Sequence, residues 1–308
     1  MTINFNIIVQ TGGTFTLLQP HSFYFVKDVY TPYTELTISY YYSTIENPVR
    51  AKLTIDGKLI HDGIIVSAKH ERNADKQLFT IKSRGFTSLL TQNEITPGLY
   101  SGITFNQLMD NYITIPNVAH ENNTSGTNYI YVKIHDSMWE GIVNYCYKVY
   151  GRYPYISGPN TVMVSQKASP VTYNKTAEDC YAFGQEQDYS NLISHFHMSD
   201  IDDNYNAYNL TNTFATAKNI SRHKHYDLDR QYLSNPNQAL DFHSKYSQRR
   251  TKSNFCQYYG YGGEDLNDII NLTGIGNLSN KRISRIEIKS VVKYTMTKIS
   301  AFSDGFNN

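Results

Sequence analysis

Hydrophobic and polar residues alternate along the first third of the chain, and this alternation predicts a series of β-strands. Over residues 36–42, apolar or aromatic side chains at every second position are separated by Thr37, Ser39 and Tyr41, the pattern of a half-buried strand. Asp56-Gly57 between two apolar runs predicts a tight hairpin, and Asp62-Gly63 predicts a bulge or a second turn. Further short strands are predicted at residues 7–9, 15–18, 23–26, 64–66 and 78–83. This spacing favours a small barrel or sandwich over residues 1–95.

The periodicity becomes helical after Pro97-Gly98. Thr104 is typical of a helix N-cap and precedes an apolar face formed by Phe105, Leu108, Met109 and Tyr112. Ser137-x-x-Glu140 is a capping box that opens a second helix, and Gly151 ends it. Gly158-Pro159-Asn160 between two apolar runs predicts a hairpin. We therefore expect a small α/β module over residues 96–168.

The remaining residues, 169–308, combine an irregular stretch with a regular end. One helix is predicted near residues 238–246, and alternation over residues 286–296 predicts a strand of a second antiparallel sheet. No helical or solenoid repeat is present. The predicted class is α+β and mainly β, with two small antiparallel β-barrel-like domains, at 1–95 and 169–308, on either side of the module. The second of these carries a long irregular insertion.

The composition excludes several classes of function but does not identify one. The 308 residues carry a net charge of +1, which argues against a main role in holding nucleic acid or an anionic membrane. Only 18% of residues are charged, whereas 27 are tyrosine, a composition that suits extensive protein–protein surfaces. The three cysteines have no CxxC spacing, and no signal peptide or membrane span is expected. We predict a protein folded in a reducing cytosol.

Two His-x-His pairs are the candidate metal ligands. His195 and His197 would share one face of a strand, as would His223 and His225, and Asp200, Asp202 and Asp203 follow the first pair. Imidazoles with a carboxylate are able to hold zinc or iron. No HExxH motif or third fixed ligand accompanies them, and exposed or edge-strand histidines are the alternative interpretation. The sequence leaves metal binding by either pair open and predicts no catalytic, cofactor or metal residue.

Other candidates for chemistry have simpler interpretations. Gly260-Tyr261-Gly262-Gly263 lacks a following Lys-Ser/Thr, and the next two residues, Glu264 and Asp265, would repel phosphate, so a turn is predicted. Cys146 lies on the apolar stripe of the second predicted helix, where we expect a buried, inert thiol. Trp139 lies beside that stripe and is expected in a core or domain interface. No Gly-x-Ser-x-Gly elbow or distinctive carboxylate pair is present, and we predict that the chain is not an enzyme.

Charge is segregated in the last third of the chain. Residues 178–203 contain seven acidic residues and no Lys or Arg, whereas residues 218–252 contain eight basic and three acidic residues. Both segments are explained either as solvated faces or as surfaces that meet between neighbouring copies and fix their register. A nucleic-acid patch is a third option, but the aromatic residues are not interleaved with Arg as a stacking platform requires.

Three stretches resemble the baseplate hub proteins of contractile phage tails and phage-tail-like bacteriocins, and more distantly the hub region of type VI secretion spikes. The first is LTIDGKLIHDG (53–63) with FTIKSRG (79–85) and Leu89-Leu90. The second is GITFNQLM (102–109), and the third is WEGIVNYCYKVYGRYPY (139–155) with NTVM (160–163). Together they cover roughly the first half of the chain. Gly85 stands where the family often has Ser.

The resemblance implies a mechanism based on symmetry. A hub subunit has two similar barrels, so three copies present six barrels in a ring that matches a sixfold tail tube on one side and a trimeric spike on the other. The implied partners are two further copies, the tail tube protein, the central spike protein and other baseplate proteins, with no membrane, and DNA only if it passes through the pore. The implied location is the baseplate of a virion or tail-like particle made in the bacterial cytoplasm.

The sequence leaves two alternatives to a structural hub. One is a glycan- or receptor-binding β-protein of the same particle, in which surface tyrosines stack on sugar rings. The other is a cell-wall hydrolase with unrecognised carboxylates. Some hub relatives carry a peptidoglycan-cleaving domain, but no such domain is expected within these 308 residues.

Overall fold

β-Strands dominate the fold, as the alternation predicts. The computed structural model describes residues 1–18, 20–41, 45–73, 76–274, 278–291, 294–303 and 305–306. Within these ranges the strands are β1 (Ile3–Val9), β2 (Thr14–Leu18), β3 (Ser22–Asp28), β4 (Glu35–Tyr41), β5 (Pro48–Ile55), β6 (Lys58–Asn73), β7 (Lys76–Gly85), β8 (Gly98–Ile103), β9 (Ala119–His120), β10 (Asn128–Val132), β11 (Tyr155–Ser157), β12 (Thr161–Met163), β13 (Thr172–Thr176), β14 (Ala182–Gln187), β15 (His195–Met198), β16 (Tyr208–Thr211), β17 (His223–Tyr226), β18 (Lys252–Tyr259), β19 (Ile269–Thr273), β20 (Leu278–Arg282), β21 (Arg285–Val291) and β22 (Tyr294–Phe302).

The first two helices begin where the sequence predicts their caps, at Thr104 and Ser137. The helices are α1 (Phe105–Tyr112), α2 (Met138–Tyr150), α3 (Thr213–Thr216) and α4 (Pro236–Gln248), with 3₁₀ turns at Phe86–Thr91 and Arg230–Tyr232. The Ser137 hydroxyl accepts from the Glu140 N–H, and the Glu140 carboxylate accepts from the Ser137 N–H at 2.7 Å, which confirms the capping box. Gly151 ends α2 in the left-handed region at φ 64°. The helix predicted near residues 238–246 is α4.

One long sheet contains most of the strands and confirms the mainly β, α+β class. In the described ranges it has eleven strands in the order β14-β18-β22-β21-β3-β4-β7-β6-β5-β1-β2, and every neighbouring pair is antiparallel. The β3–β21 pair joins strands from the two ends of the chain, with Ser22 opposite Val291 and Asp28 opposite Arg285. The two predicted β regions are therefore continuous through this sheet.

Of the two Asp-Gly turns predicted in the N-terminal half, the structure confirms one. Asp56 and Gly57 have φ values of 47° and 82° and form the tight hairpin between β5 and β6. The bulge or turn predicted at Asp62-Gly63 is wrong, because both residues lie in regular register inside β6. A Cβ added to Gly63 would lie 2.0 Å from the Arg84 carbonyl oxygen on β7. Glycine is needed here for close contact between strands rather than for a turn.

The C-terminal alternation belongs to two strands, not one. β21 and β22 form an antiparallel pair with Val291 opposite Tyr294, so the alternation continues from one strand into the next. Ile286, Ile288 and Ile299 are buried in this pair. The predicted positions Val292 and Lys293 lie outside the described residues.

The buried apolar residues form two hydrophobic cores. One lies on the eleven-stranded sheet and combines residues from both ends of the chain, such as Phe5, Phe25 and Ile288. The other fills the α/β module, where Trp139 and Cys146 are buried as predicted. Residues from 169–308 enter this second core as well, including Phe196 on β15. The division into domains at 1–95, 96–168 and 169–308 stays a prediction.

Candidate assembly surfaces

The two ends of the eleven-stranded sheet are chemically different. At one end, the residues that follow β3 and the last residues of β22 enter the core of the α/β module, among them Tyr30 and Phe302, whose rings stack at 6.1 Å. We call this the module end. At the opposite end, Ser22 at the start of β3 pairs with Ser39 of β4 and with Val291 of β21. We call this opposite end the rim, and strands from both halves of the chain begin or finish there.

Exposed tyrosines occupy the C-terminal half of the rim. Tyr259 ends β18, Tyr294 begins β22 and Tyr181 immediately precedes β14, so all three lie at the same end of neighbouring strands. Their exposed fractions are 65%, 65% and 45%, and the ring centroids of Tyr259 lie 5.3 Å from Tyr181 and 6.1 Å from Tyr294. They form a continuous row of aromatic rings, which we call the C-terminal patch.

The N-terminal half of the rim also carries exposed aromatic rings. Tyr41 at the end of β4 is 53% exposed, and its ring lies 4.4 Å from His21, which precedes β3. These two residues form the N-terminal patch. Beside it, β6 and β7 extend as a hairpin beyond Ile64, the last β6 residue paired with β5, and residues 66–72 are exposed. Both halves of the sheet thus present aromatic side chains at the same end.

A buried ionic junction lies near the module end. Lys27 on β3 pairs with Asp265 and donates to the Gly158 carbonyl at 2.7 Å. Asp265 also accepts from the Gly158 N–H at 2.8 Å. Burial alone would raise the pKa of Asp265, but the Lys27 charge and these hydrogen bonds hold that pKa below its usual range. The junction ties the sheet, the module hairpin and the loop before β19 together.

A second ionic cluster lies beside this junction. The buried carboxylate of Asp28 pairs with Arg250 at 2.8 Å and with Arg285 at 3.1 Å. Arg285 also pairs with Glu287 on the same strand at 2.9 Å. Arg250 follows α4, so this cluster joins the module side of the chain to both β3 and β21.

The structure brings the two His-x-His pairs together in a four-histidine ladder. β15 and β17 are parallel neighbours, with His195 opposite His223 and His197 opposite His225. These opposed rings have centroids 4.3 and 4.6 Å apart and lie within 15° of parallel. On the diagonal, His197 Nε2 and His223 Nδ1 are 3.1 Å apart and share a hydrogen bond.

Hydrogen bonds fix the tautomers of His197 and His223 when both rings are neutral. The Asn209 amide oxygen accepts from His197 Nδ1 at 2.6 Å, so in a neutral ring His197 Nε2 accepts from His223 Nδ1. Desolvation, and then the charges of the other three imidazoles, lower the pKa of His223. Among the described residues, no three His, Cys, Asp or Glu side chains converge in a way that could hold a metal ion.

The other residues that the sequence singled out as candidates for chemistry make contacts that stabilise the fold. The Cys146 thiol is buried, which raises its pKa well above the usual value, and Sγ contacts the Val164 carbonyl. Trp139 Nε1 donates to the Tyr153 hydroxyl at 3.4 Å inside the module core. In the glycine-rich loop, the Gly262 N–H donates to the Glu264 carboxylate at 2.9 Å, so an acidic side chain occupies the position where a phosphate would need donors.

The acidic and basic segments meet within one chain. β15 from residues 178–203 pairs with β17 from residues 218–252, and Arg222 donates to three backbone carbonyls of the acidic segment. Asp202 and Asp203 are exposed. Pairing of these segments between copies stays a prediction.

Sequence reasoning missed the rim. The composition shows that the chain is rich in tyrosine. It does not show that tyrosines at the ends of distant strands lie on one surface, because that depends on the β3–β21 pairing. The available signal was that Tyr181 and Tyr259 lie at the boundaries of short apolar or aromatic runs, whereas Tyr294 lies inside the alternating run 286–296. In the described part of the chain, no helix is long and apolar enough to cross a membrane.

Comparisons with known proteins give matches among solved structures alone. No family model and no curated protein sequence matches the chain. The fold is similar to the tail protein from Neisseria meningitidis MC58, with a TM-score of 0.74 and 14% identity over 100% of this chain and 98% of that one. It is similar to the 43 kDa tail protein of prophage MuSo2 from Shewanella oneidensis, with a TM-score of 0.71 and 11% identity over 98% of each chain.

A third likeness is to an E. coli component of the type VI secretion system, with a TM-score of 0.55 and 8% identity over 92% of this chain and 74% of that one. That protein is described as structurally similar to bacteriophage T4 tail proteins. The resemblance to phage tail and type VI spike-like proteins is therefore confirmed at the level of the fold. It extends over residues 170–280, which the sequence resemblance did not cover.

Proposed function

We propose that this chain is a structural baseplate hub subunit of a phage tail or tail-like particle. In this role three copies form a ring that adapts a sixfold tail tube to a threefold central spike. The observation that carries the proposal is the full-length likeness to two tail proteins, each matched over at least 98% of both chains. A likeness over the full length of both chains favours a shared architecture over a single shared domain.

The shape of the sheet supports an adaptor role. An adaptor needs two different faces, and the rim and the module end differ in both composition and packing. The sheet order also leaves β14 and β2 as edge strands within the described residues, on opposite sides of the chain. Edge strands in stable proteins are covered or guarded, and neighbouring copies in a ring would cover them.

The proposal is tested by mixing the purified chain with the tube and spike proteins encoded by the same particle. A hub is expected to self-associate as a trimer and to bind both proteins in size-exclusion chromatography with mass detection. A monomer that binds neither protein would overturn the proposal.

The exposed C-terminal patch favours one second candidate, a glycan- or receptor-binding protein of the same particle. Tyrosine rings in a row offer flat apolar faces with polar tips, which suit sugar rings. Saturable binding of cell-wall glycans by the full chain, without binding to tube or spike, would support this candidate instead.

A further inference from the structure

The histidine ladder contains two ring nitrogens that face each other across neighbouring strands. His197 Nε2 and His223 Nδ1 are 3.1 Å apart, and their rings lie within 7° of parallel. The two residues are diagonal neighbours on β15 and β17, so they do not belong to the same His-x-His pair of the sequence. His223 is exposed and His197 is partly exposed. A dissolved ion can therefore reach both nitrogens.

The separation of these nitrogens matches that of two ligands on one metal ion. Imidazole nitrogens bind zinc at about 2.0–2.1 Å, so two of them lie about 3.3 Å apart in a tetrahedral site. In adjacent positions of a square-planar site, which suits Cu²⁺ and Ni²⁺, the same bond length places them about 2.9 Å apart. The distance of 3.1 Å between His197 Nε2 and His223 Nδ1 lies between these values. The paired strands thus hold the two rings at the spacing that chelation requires.

The groups around these rings restrict their movement. The Asn209 amide oxygen on β16 accepts from His197 Nδ1 at 2.6 Å, which leaves the Nε2 lone pair directed towards β17. Metal-binding histidines commonly donate their second ring nitrogen to an oxygen in this way. The His195 ring stacks on His223 at 4.3 Å, and the His225 ring stacks on His197 at 4.6 Å. Because the rings are already ordered, little side-chain entropy is lost when they bind an ion.

We propose that His197 Nε2 and His223 Nδ1 together bind one divalent transition-metal ion, with Cu²⁺ bound more tightly than Ni²⁺ or Zn²⁺. The ion replaces the proton that the two nitrogens share. In the neutral pair this proton is on His223 Nδ1, and it moves to Nε2 of the same ring, so both facing nitrogens offer lone pairs and no net proton is released. Among the described residues no third His, Cys, Asp or Glu joins the pair, so water completes the coordination.

The donor set determines the class of ion. Neutral imidazoles suit zinc, copper and nickel, and affinity for such ligands is highest for Cu²⁺ among the divalent ions of this series. Ca²⁺ and Mg²⁺ need oxygen ligands, so neither is expected to bind here.

Binding would clip one strand to its neighbour. In the described residues β17 is an edge strand of the three-stranded sheet β16-β15-β17, and the ion would join it to β15 through side chains. Amide hydrogen exchange over His223–Tyr226 is therefore expected to slow when the ion binds. This inference does not depend on the proposed hub function, because it concerns the chain alone.

The experiment titrates the full chain with Cu²⁺ alone, using calorimetry for the affinity and electron paramagnetic resonance for the ligands. One ion per chain is expected, with hyperfine splitting from two nitrogens. His197→Gln and His223→Gln each remove one ligand and are expected to weaken binding roughly tenfold or more, because even the loss of a group that orients a ligand costs that much. His195→Asn with His225→Asn is the matched control. It removes two imidazoles from the same ladder, keeps the diagonal pair, and is expected to bind as the unaltered chain does.

Thermal unfolding without metal checks that each variant folds, and the spectrum of the unaltered chain tests the ligands without any substitution. If both Gln variants bind Cu²⁺ as tightly as the unaltered chain, or the spectrum shows fewer than two nitrogens, the site is wrong. If the control loses as much affinity as the Gln variants, the ligands are another pair of the ladder. Several weak ions per chain that no ladder variant affects would mean adventitious binding to surface histidines only. Unchanged hydrogen exchange over β17 with Zn²⁺ bound would show that the ion does not clip the strand.

Discussion

Lys27 and Asp265 form an ion pair that is almost completely buried where three parts of the chain meet. The Lys27 side chain is 4% exposed, and both partners also hydrogen-bond to the backbone of Gly158. The pair joins β3 of the N-terminal half, the hairpin of the α/β module and the loop before β19.

Removing one partner of this pair is expected to destabilise the protein strongly. Lys27→Met leaves the Asp265 carboxylate buried without its counter-charge, which typically costs about 3–5 kcal/mol in the free energy of unfolding. Urea denaturation at neutral pH measures the loss. Lys27→Met combined with Asp265→Asn is the control, and it is expected to be more stable than Lys27→Met alone because no charge is left unpaired and the amide oxygen can still accept from the Gly158 N–H. A loss below about 1 kcal/mol for Lys27→Met would contradict this account of the pair.

Acid is expected to destabilise the protein through His61. Burial lowers the pKa of His61 to about 3, the nearby Asp62 charge opposes this effect, and the ring is bonded to Thr34 and Ser83 hydroxyls. In the unfolded chain the His61 side chain has an ordinary histidine pKa near 6.5. Below that pH, His61 therefore binds a proton in the unfolded chain but not in the folded chain. The contribution of His61 to the free energy of unfolding is therefore fully present above pH 6.5 and is lost progressively as the pH drops towards 3.

The measurement compares urea unfolding at pH 6.5 and pH 5. His61 accounts for a loss of about 2 kcal/mol over this range, because each unit of pKa difference is worth about 1.4 kcal/mol. His61→Gln is expected to remove that part of the pH dependence, whereas His135→Gln, at a side chain that is 82% exposed, leaves it unchanged. Equal pH dependence in His61→Gln and the unaltered chain would show that His61 is not the titrating group. His243, with a pKa lowered by burial to about 4, contributes with the same sign in both proteins.

Gly63→Ala is expected to destabilise the sheet by about 2 kcal/mol or more, because the added methyl would overlap the Arg84 carbonyl on the neighbouring strand. Gly184→Ala in β14 is the matched control, since its added Cβ would lie 3.4 Å from the Phe255 ring, an ordinary contact. Thermal unfolding of the two variants makes the comparison. Similar stability for both would mean that β6 and β7 separate easily at Gly63.

Local features were predictable from the sequence because their causes are local. The Ser137 capping box, the Asp56-Gly57 hairpin and the buried stripe of α2 each depend on residues a few positions apart. Asp62-Gly63 carries the same local signal as a hairpin turn, and only the close approach of β7 shows that glycine serves another purpose.

Strand pairing over long distances was not predictable in the same way. Alternation indicates which residues of β3 and β21 face a core, but it does not say that these strands, about 260 residues apart, pair with each other. For the same reason the sequence does not predict the parallel pairing of β15 and β17, which brings the two His-x-His pairs together as a four-histidine ladder. The rim and the ladder are both products of such distant pairing.

One member of the histidine ladder, His223, is expected to have a lowered pKa. Desolvation and the three neighbouring imidazoles lower the pKa of His223, so NMR titration should show it protonating at a lower pH than an ordinary histidine. Replacing His195 and His225 by Asn should move the His223 pKa part of the way back up. An unchanged pKa in that variant would mean that His195 and His225 do not interact electrostatically with His223.

Charge pairing between copies gives a prediction about assembly. If residues 178–203 of one copy meet residues 218–252 of the next, Asp202→Lys with Asp203→Lys should weaken self-association, and raised salt should weaken the unaltered assembly in the same way. Sedimentation velocity at low and high salt measures both effects. Assembly that is independent of salt and of these substitutions would leave the two segments as solvated faces.

The mass of the complex that the full chain forms with tube subunits tests the central claim most directly. Native mass spectrometry, or mass measurement during chromatography, gives the number of copies of each protein. Three copies of this chain with six tube subunits are expected, because each chain would offer two contacts to a sixfold ring. Equal numbers of the two proteins, or a single copy of this chain in the complex, would contradict the proposed hub.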